Sequence, residues 1–337
     1  MNKPRVLITH TPSALANYFG QPALAELRTR AELRCHDSEA PWTAATLAQA
    51  ARGMDIIVSD RRAEGSAELL AQLPQLVAFC RCAVDVRNVD IGAASAAGIL
   101  VTHASPGFMA SVSEWIVGVM IDLSRHISAS VADYRAGRQP TPRMGRELRG
   151  STLGIIGYGY IGRYVAELGL AMGMRVLVHD PFVQPDNPAL PAVPLTRLLQ
   201  EADHVVCLAV ANDATENLLD AAAFAAMKPG AFFINASRGN LVDEAALLIA
   251  LDRGQLGGCA LDVGRAVDQM PPAELARHPL VLATPHIGGL TPQAIEHQAL
   301  EVVQQVGALA TGRVPEGTLN AAQASRLQGF FARMAAA

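Results

Sequence analysis

Residues 152–162, TLGIIGYGYIG, decide the fold of this chain. A strand-like apolar run leads directly into three glycines, Gly157, Gly159 and Gly162, and an amphipathic helix follows. In such a strand–turn–helix unit the first glycine permits a tight turn and the second lets the backbone approach a pyrophosphate. The third lets the helix pack closely on the strand, with the phosphates at the positive helix N-terminus. The stretch therefore predicts a dinucleotide-binding site on a parallel sheet.

Asp180 adds a second, independent feature of such a site. It ends the next strand-like run, 18 residues after Gly162. A carboxylate there can accept hydrogen bonds from the adenosine ribose and would repel the extra phosphate of NADP. Three glycines alone could mark only a structural turn, but the aspartate favours a bound cofactor. The sequence therefore predicts NAD, in preference to NADP.

Short β-rich runs alternate with amphipathic stretches along the chain. Eleven such runs lie at 5–10, 32–36, 55–60, 76–80, 99–103, 152–157, 174–180, 204–210, 231–237, 259–263 and 280–284. This rhythm predicts βα units that form two separate parallel sheets, an α/β protein. One long helix is expected from Ala110 to Tyr134 as the link between two domains, and another helix beyond Thr291.

The composition limits the class of protein. A chain of 337 residues, half of them hydrophobic and 17% charged, is long enough for two domains with their own cores. The net charge of -4 includes no run of like charge, which argues against a nucleic-acid or membrane partner. Five cysteines without paired spacing predict neither a disulfide framework nor a metal site. No leader pattern or membrane-length apolar stretch is visible, so a cytoplasmic location is expected.

Three chemically capable side chains follow strand-like runs in the second half. Arg238 lies in NASRG at 235–239, Asp262 ends one run, and His286 lies in TPHIGG at 284–289. The carboxyl edge of a doubly wound sheet faces the ligand crevice, so the three could converge there. Arginine binds carboxylates bidentately, and histidine exchanges protons near neutral pH. Singly, each could equally be a surface ion-pair partner, a loop cap or a structural histidine.

Taken together, these segments resemble the D-isomer-specific 2-hydroxyacid dehydrogenases. The glycine stretch, Asp180, NASRG, LDV at 261–263 and TPHIGG occur in that family's order and spacing, and the resemblance runs from about Pro4 to about Gly312. It implies a flavodoxin-like substrate domain, residues 1–104 and 291–337, and a Rossmann NAD-binding domain, residues 105–290. It also implies a homodimer acting on a small-molecule substrate.

The resemblance assigns roles residue by residue. It makes Arg238 the residue that orients the substrate's carboxylate and carbonyl, His286 the acid/base, and Asp262 a contact of the nicotinamide amide. The residues expected to bind the cofactor are Gly157, Tyr158, Gly159, Tyr160, Ile161, Gly162, Asp180, Ala209, Val210, Thr215, Ala236, Ser237, Arg238, Asp262, His286 and Gly288.

The chain departs from the family pattern near the acid/base. The family places a glutamate five residues after the LDV aspartate, where its charge raises the pKa of the histidine. Val267 stands at that position here. A one-residue insertion could bring Asp268 into the glutamate's place as a third catalytic residue. If it does not, His286 lacks that partner.

A second departure concerns the loop expected to bind the substrate carboxylate through Ala83, Val84 and residue 85. Asp85 replaces a family glycine, and its charge would oppose an anionic substrate unless the side chain turns outward or pairs with Arg87 or Arg238. Phe108 is expected to add apolar surface to the substrate pocket, although it could equally be a core contact.

The sequence therefore predicts an NAD-dependent oxidoreductase that transfers a hydride between nicotinamide and a small 2-hydroxy or 2-keto acid. The substitutions at positions 85 and 267 suggest a preferred substrate that is bulkier, less anionic, or one whose hydride transfer needs no strong proton relay, as in the related formate and phosphite oxidisers. The alternative is an NAD(H)-binding sensor, similar to a corepressor, with weak or lost catalysis.

Overall fold

The computed structural model describes residues 3–336, with every side chain in that range except that of Asp268. The chain forms two compact units. The first unit contains the chain up to Phe108 and again from Thr291 onward, and the second unit is Met109–Leu290. The long C-terminal stretch therefore returns to the unit in which the chain began.

The N-terminal part of the first unit alternates strands and helices. Its strands are β1 (Arg5–Ile8), β2 (Glu32–Cys35), β3 (Ile56–Ser59), β4 (Ala78–Arg81) and β5 (Leu100–His103). Its helices are α1 (Pro12–Tyr18), α2 (Gln21–Arg30), α3 (Ala44–Ala51), α4 (Ala67–Ala71) and α5 (Ile91–Ala96). The strands form one parallel sheet in the order β2-β1-β3-β4-β5. This order is that of flavodoxin-like folds.

The second unit has a longer sheet. Its helices are α6 (Met109–Arg125), α7 (Ile127–Arg135), α8 (Tyr160–Ala171), α9 (Leu195–Glu201), α10 (Ala221–Ala226), α11 (Glu244–Asp252) and α12 (Ala273–Ala276). Its strands are β6 (Thr152–Ile156), β7 (Arg175–His179), β8 (His204–Cys207), β9 (Ala231–Asn235), β10 (Leu256–Leu261) and β11 (Val281–Ala283). They pair in parallel in the order β11-β10-β9-β8-β6-β7. The winding direction changes between β6 and β8, which creates a crevice at their carboxyl ends.

Each of the eleven predicted runs overlaps one strand, although β10 begins three residues before its run and β4 ends one residue after its run. The α/β class with two parallel sheets is confirmed. The central strands are continuously apolar because helices cover both faces of each sheet. In the first unit, α3, α4 and α5 cover one face, and α2 covers the other together with the C-terminal helices α13 (Pro292–Ala310) and α14 (Arg326–Ala335). In the second unit, α9 to α12 pack on one face and α6 and α8 on the other.

The single helix predicted from Ala110 to Tyr134 is wrong. The segment forms two helices, separated at His126, whose backbone is left-handed with φ 55° and ψ 38°. Asp122, in the last turns of α6, accepts hydrogen bonds from the backbone N–H (2.8 Å) and the hydroxyl of Ser128, at the start of α7. An apolar periodicity that continues through the break does not reveal this change of direction.

Candidate active site

The predicted site residues of the second unit all follow strands at one edge of its sheet. Because the strands are parallel, their carboxyl ends lie side by side. Gly157 follows β6, Asp180 follows β7, Ala209 and Val210 follow β8, Arg238 follows β9, Asp262 follows β10, and His286 follows β11. The sheet thus arranges the candidates along one crevice, in the strand order of the sheet.

The glycine turn has the geometry that its sequence predicts. Gly157 has φ +99°, and a Cβ there would lie 2.6 Å from the backbone nitrogen of Ala209. A Cβ on Gly162 would clash with the carbonyl oxygen of Gly157, which shows how closely α8 packs against the turn. At Gly159, the N-cap of α8, a Cβ would point into open space. The turn therefore leaves a cradle at a helix N-terminus that a phosphate group fits.

Asp180 lies directly beside this cradle. Its Oδ2 accepts a hydrogen bond from the backbone N–H of Tyr158 (2.7 Å), and its Oδ1 accepts from the N–H groups of Phe182 (2.8 Å) and Val183 (3.0 Å). Partial burial acts to raise its pKa, but the three donors outweigh burial and lower the pKa of the carboxyl. The group is therefore a fixed negative charge at the place where an adenosine ribose would be held. The residues present fit NAD.

Further hydrogen bonds connect the neighbouring loops at this edge. Ser237 Oγ donates to the carbonyl oxygen of Ala209 (2.6 Å), which joins the ends of β9 and β8. Thr215 Oγ1 donates to the carbonyl oxygen of Val210 (2.8 Å). Together with the glycine turn and Asp180, these residues form one continuous rim.

Asp262 organises the segment that contains His286. Its carboxylate is 4% exposed and accepts three hydrogen bonds: from Thr284 Oγ1 (2.6 Å), from the N–H of Ile287 (2.8 Å) and from the N–H of Gly288 (2.7 Å). Within this clamp the backbone of His286 adopts φ 56°, a left-handed conformation that L-residues rarely take. Strain of this kind persists only where surrounding contacts hold it, and it is concentrated at functional sites. Asp262 thus caps the loop after β11, which is the loop-cap role that the sequence left open for it.

Arg238 lies three residues after the end of β9 and is the N-cap of a short 3-10 helix, Gly239–Leu241. The Asn235 side chain fixes this turn, because its Nδ2 donates to the carbonyl oxygen of Arg238 (2.9 Å) and its Oδ1 accepts from the N–H of Ser237 (3.1 Å). The guanidinium Nη1 donates to the carbonyl oxygen of Ser237 (2.7 Å). The arginine is thus held at the strand end next to that of Asp262.

The predicted substrate-binding residues Ala83, Val84, Asp85 and Phe108 belong to the first unit. Asp85 pairs with Arg87: the Arg87 Nη2 lies 2.6 Å from Oδ2, and the Arg87 backbone N–H also donates to Oδ1 (3.0 Å). The sequence suggested Arg87 or Arg238 as partners of this carboxylate, and the structure shows the ion pair with Arg87. The pair offsets the charge that would otherwise repel an anionic substrate.

Arg81 is a functional candidate that sequence reasoning missed. It is 4% exposed at the end of β4, and its Nε donates to Asn88 Oδ1 (3.1 Å) while its Nη1 donates to the carbonyl oxygen of Ser59 (3.2 Å). The guanidinium therefore braces the loop that contains Asp85. A charged residue at the end of an otherwise apolar strand was the available signal.

The expectation that Asp268 replaces the family glutamate lies outside the described side chains. Val267, at the family position, is 83% exposed in the 3-10 helix Val267–Gln269. Among the described residues, no cluster of histidine, cysteine or acidic side chains could hold a metal ion. Over the same residues, no helix is long and apolar enough to cross a membrane.

The fold and this edge of the sheet define a dinucleotide-binding α/β protein with two domain-sized units. Comparison with known proteins identifies its family. Residues 117–288 match the family described as D-isomer specific 2-hydroxyacid dehydrogenase, NAD binding domain. The (S)-sulfolactate dehydrogenase of Chromohalobacter salexigens is 33% identical over 297 residues, covering 87% of this chain and 96% of that protein.

Other relatives agree. A D-3-phosphoglycerate dehydrogenase of Synechocystis is 35% identical over 252 residues, covering 73% of this chain and 45% of that protein, so the chain spans about half its length. The crystal structure of the TT0316 protein from Thermus thermophilus superposes with a TM-score of 0.85 at 32% identity, covering 94% of this chain and 99% of the other. The chain belongs to the D-isomer-specific 2-hydroxyacid dehydrogenase family. It is an NAD-dependent dehydrogenase of that family.

Proposed function

We propose that Arg238 and His286 are the catalytic residues of this dehydrogenase, acting on a small 2-hydroxy or 2-keto acid. The observation that supports this most directly is the Asp262 clamp, which fixes the His286 segment in a strained conformation at the edge where Arg238 also lies. His126 has a similar backbone at the break between two helices, so the left-handed conformation supports a catalytic role for His286 only together with its place at the carboxyl edge of the sheet, close to the strand that precedes Arg238.

Each residue has a defined task in the mechanism. The cofactor held by the glycine turn and Asp180 would provide the hydride chemistry at C2 of the acid, as NADH in the reduction of the keto acid and as NAD+ in the oxidation of the hydroxy acid. The Arg238 guanidinium binds the substrate carboxylate and polarises the neighbouring carbonyl. His286 donates a proton to the keto oxygen during reduction and takes it from the hydroxyl during oxidation. The Gly157–Gly162 turn and Asp180 hold the pyrophosphate and the ribose.

The two units divide these tasks. We propose that residues 105–290 bind NAD and that residues 1–104 with 291–337 bind the substrate through Ala83, Val84 and Asp85. Phe108, which directly follows this first range in the chain and belongs to the same compact unit, is proposed as a further substrate contact. The Asp85–Arg87 pair removes the electrostatic objection to an anionic substrate. The names of two relatives, sulfolactate and phosphoglycerate dehydrogenase, describe 2-hydroxy acids with a second anionic group. We therefore propose acids of this class, in place of the less anionic ones that the sequence suggested.

A homodimer is part of the proposal. Helix α7 has no buried residue, and three large side chains on it are exposed: Ile127 (48%), Val131 (40%) and Tyr134 (62%). Their spacing of four and three residues places them on one face of the helix. A second copy of this chain is the proposed cover for that face. The cytoplasmic location remains a prediction from sequence.

The test follows NADH absorbance with purified protein and a panel of 2-keto acids, including sulfopyruvate and phosphohydroxypyruvate, between about pH 5 and 9. We expect turnover that falls by about 100-fold or more in Arg238→Ala and His286→Ala. Arg253→Ala, an exposed arginine of the second unit, is the matched control and should be unchanged. NADH binding without turnover on any acid would favour the sensor instead.

A further inference from the structure

Helix α13 has three polar side chains spaced four residues apart: His297, Glu301 and Gln305. Residues at this spacing share one face of a helix. All three contact residues 102–107, which are the end of β5 and the segment that follows it, nearly 200 positions earlier in the chain. We call these three side chains the α13 ladder.

The contacts run in opposite directions along the two segments, from Gln305 at residue 102 to His297 at residue 107. Gln305, which is 2% exposed, accepts a hydrogen bond from Thr102 Oγ1 (2.7 Å) and donates to the carbonyl oxygen of His103 (2.8 Å). Glu301 Oε2 accepts from both the backbone N–H (2.7 Å) and the hydroxyl (2.8 Å) of Ser105. The ladder therefore satisfies polar groups on three residues of the segment, Thr102, His103 and Ser105.

His297 completes the arrangement. Its Nε2 lies 2.8 Å from Ser105 Oγ and 3.7 Å from Glu301 Oε2. Because the Ser105 hydroxyl has one hydrogen and donates it to Glu301, the His297 Nε2–H is the donor to Ser105 Oγ. The imidazole also packs directly on Gly107, where any Cβ would clash with the ring.

The segment held in this way adjoins the proposed substrate loop. The N–H of Ala104 donates to the carbonyl oxygen of Ala83 (3.1 Å), and Phe108 follows Gly107 in the chain. Residues from both predicted parts of the substrate pocket are thus connected to the ladder. His297 has 48% of its side chain exposed and Glu301 22%, so neither is a core residue whose main effect is on folding.

We propose that His297 and Glu301 are positioning residues, which act through Ser105 and Gly107 to hold residues 104–108 and Ala83 in the conformation that binds substrate. This inference rests on the proposed function. It predicts an effect on substrate affinity without one on cofactor affinity, because the cofactor residues belong to the other unit.

The test compares Glu301→Ala, Glu301→Gln and His297→Ala with Glu296→Ala, a matched control that removes an exposed glutamate of α13 outside the ladder. We expect Glu301→Ala and His297→Ala to raise KM for the 2-keto acid by about tenfold, because the loss of one charge-assisted hydrogen bond changes an equilibrium constant by about this factor. The value of kcat should change less, and the NADH Kd should not change. Glu301→Gln keeps an acceptor oxygen and should recover most of the affinity.

Hydrogen exchange provides a readout that does not need activity. The Ser105 amide should exchange faster in Glu301→Ala, and at the wild-type rate in Glu301→Gln and Glu296→Ala. An unchanged rate in Glu301→Ala would show that the ladder does not hold the segment. Faster exchange with an unchanged KM would overturn the positioning role. A wild-type enzyme inactive on every acid would overturn the proposed function, while exchange would still decide whether the ladder holds the segment.

Discussion

Gly157 and Gly159 lie two residues apart in one turn, yet we expect glycine to be needed at each for a different reason. At Gly157 the backbone itself has a left-handed conformation, φ +99°, and a Cβ would press against the loop after β8. At Gly159 the backbone has φ -79°, which any residue adopts, and the Cβ position is open. The first glycine is thus needed for folding and the second for the cofactor.

Alanine at these two positions should therefore give different results. We expect Gly157→Ala to lower the free energy of unfolding by at least about 1–2 kcal/mol, the cost of a left-handed L-residue, with the steric clash in addition. Gly159→Ala should leave the urea midpoint nearly unchanged but weaken NADH binding by tenfold or more, measured by fluorescence titration. Equal NADH affinity in wild type and Gly159→Ala would contradict this account of the cradle.

Two buried histidines make stability depend on acid pH. Burial lowers the pKa of His10 from 6.5 to about 4, although Asp60 opposes the shift, and burial likewise lowers the pKa of His204 to about 4 against the effect of Asp203. Both groups are neutral in the folded chain and bind a proton more readily when unfolded. Stability is therefore lost as pH falls from about 6.5 to about 4, by up to roughly 1.4 kcal/mol per pH unit for each histidine.

Urea unfolding at about pH 7 and pH 5 measures this loss. The difference in the free energy of unfolding between the two pH values should be smaller in His204→Gln. The neutral amide of glutamine can still form a hydrogen bond with Ser124 Oγ, which lies 2.9 Å from His204 Nε2 in the wild type. The same acid dependence in His204→Gln and wild type would rule out a contribution from this residue.

At the scale of elements, the break between α6 and α7 depends on one carboxylate. His126, the N-cap residue of α7, makes no capping hydrogen bond with its side chain. Asp122 of the preceding helix caps α7 instead, because its carboxylate accepts a hydrogen bond from the backbone N–H of Ser128. An uncapped helix N-terminus leaves backbone donors unsatisfied.

Asp122→Ala should therefore destabilise the protein by about 0.5–2 kcal/mol, the usual cost of losing a cap. The control is Asp186→Ala, an exposed aspartate in a loop of the same unit. Thermal unfolding of the two variants, together with hydrogen exchange of the first turn of α7, measures the effect. If the two variants lose the same stability, Asp122 has no capping role.

For the whole molecule, the important feature is the return of the C-terminal residues to the first unit. Helix α14 buries Leu327, Phe330 and Met334 in the core that β1, β3 and β4 share with α2 and α13. Arg333 of the same helix also reaches the buried Asp55 at 2.5 Å. The first unit is therefore complete only when the last helix has been synthesised.

Phe330→Ala should lower the free energy of unfolding of the first unit by about 3–5 kcal/mol, the cost of removing a buried aromatic side chain. NADH binding should persist, because its residues belong to the second unit. Calorimetry and NADH titration on the same sample separate these effects. If NADH binding is lost in parallel with the unfolding of the first unit, the two units do not fold independently.

Local pattern in the sequence determined much of this protein. The eleven strands, the two parallel sheets and the glycine turn with Asp180 follow from apolar runs and a short motif, because these features depend on residues close together in the chain. The positions of Arg238, Asp262 and His286 at strand ends were also predictable, since every strand of a parallel sheet ends at the same edge.

Only the tertiary structure decided how these residues are held. The sequence left a loop cap as one of several roles for Asp262 and Arg87 as one of two partners for Asp85, without choosing among them. The turn at His126 and the α13 ladder were not evident from the pattern at all. Ser105 and Glu301, for example, are 196 positions apart. Periodicity tells which side chains face inward, but contacts between distant segments depend on strand order, register and helix placement, and these are set by packing of the whole chain.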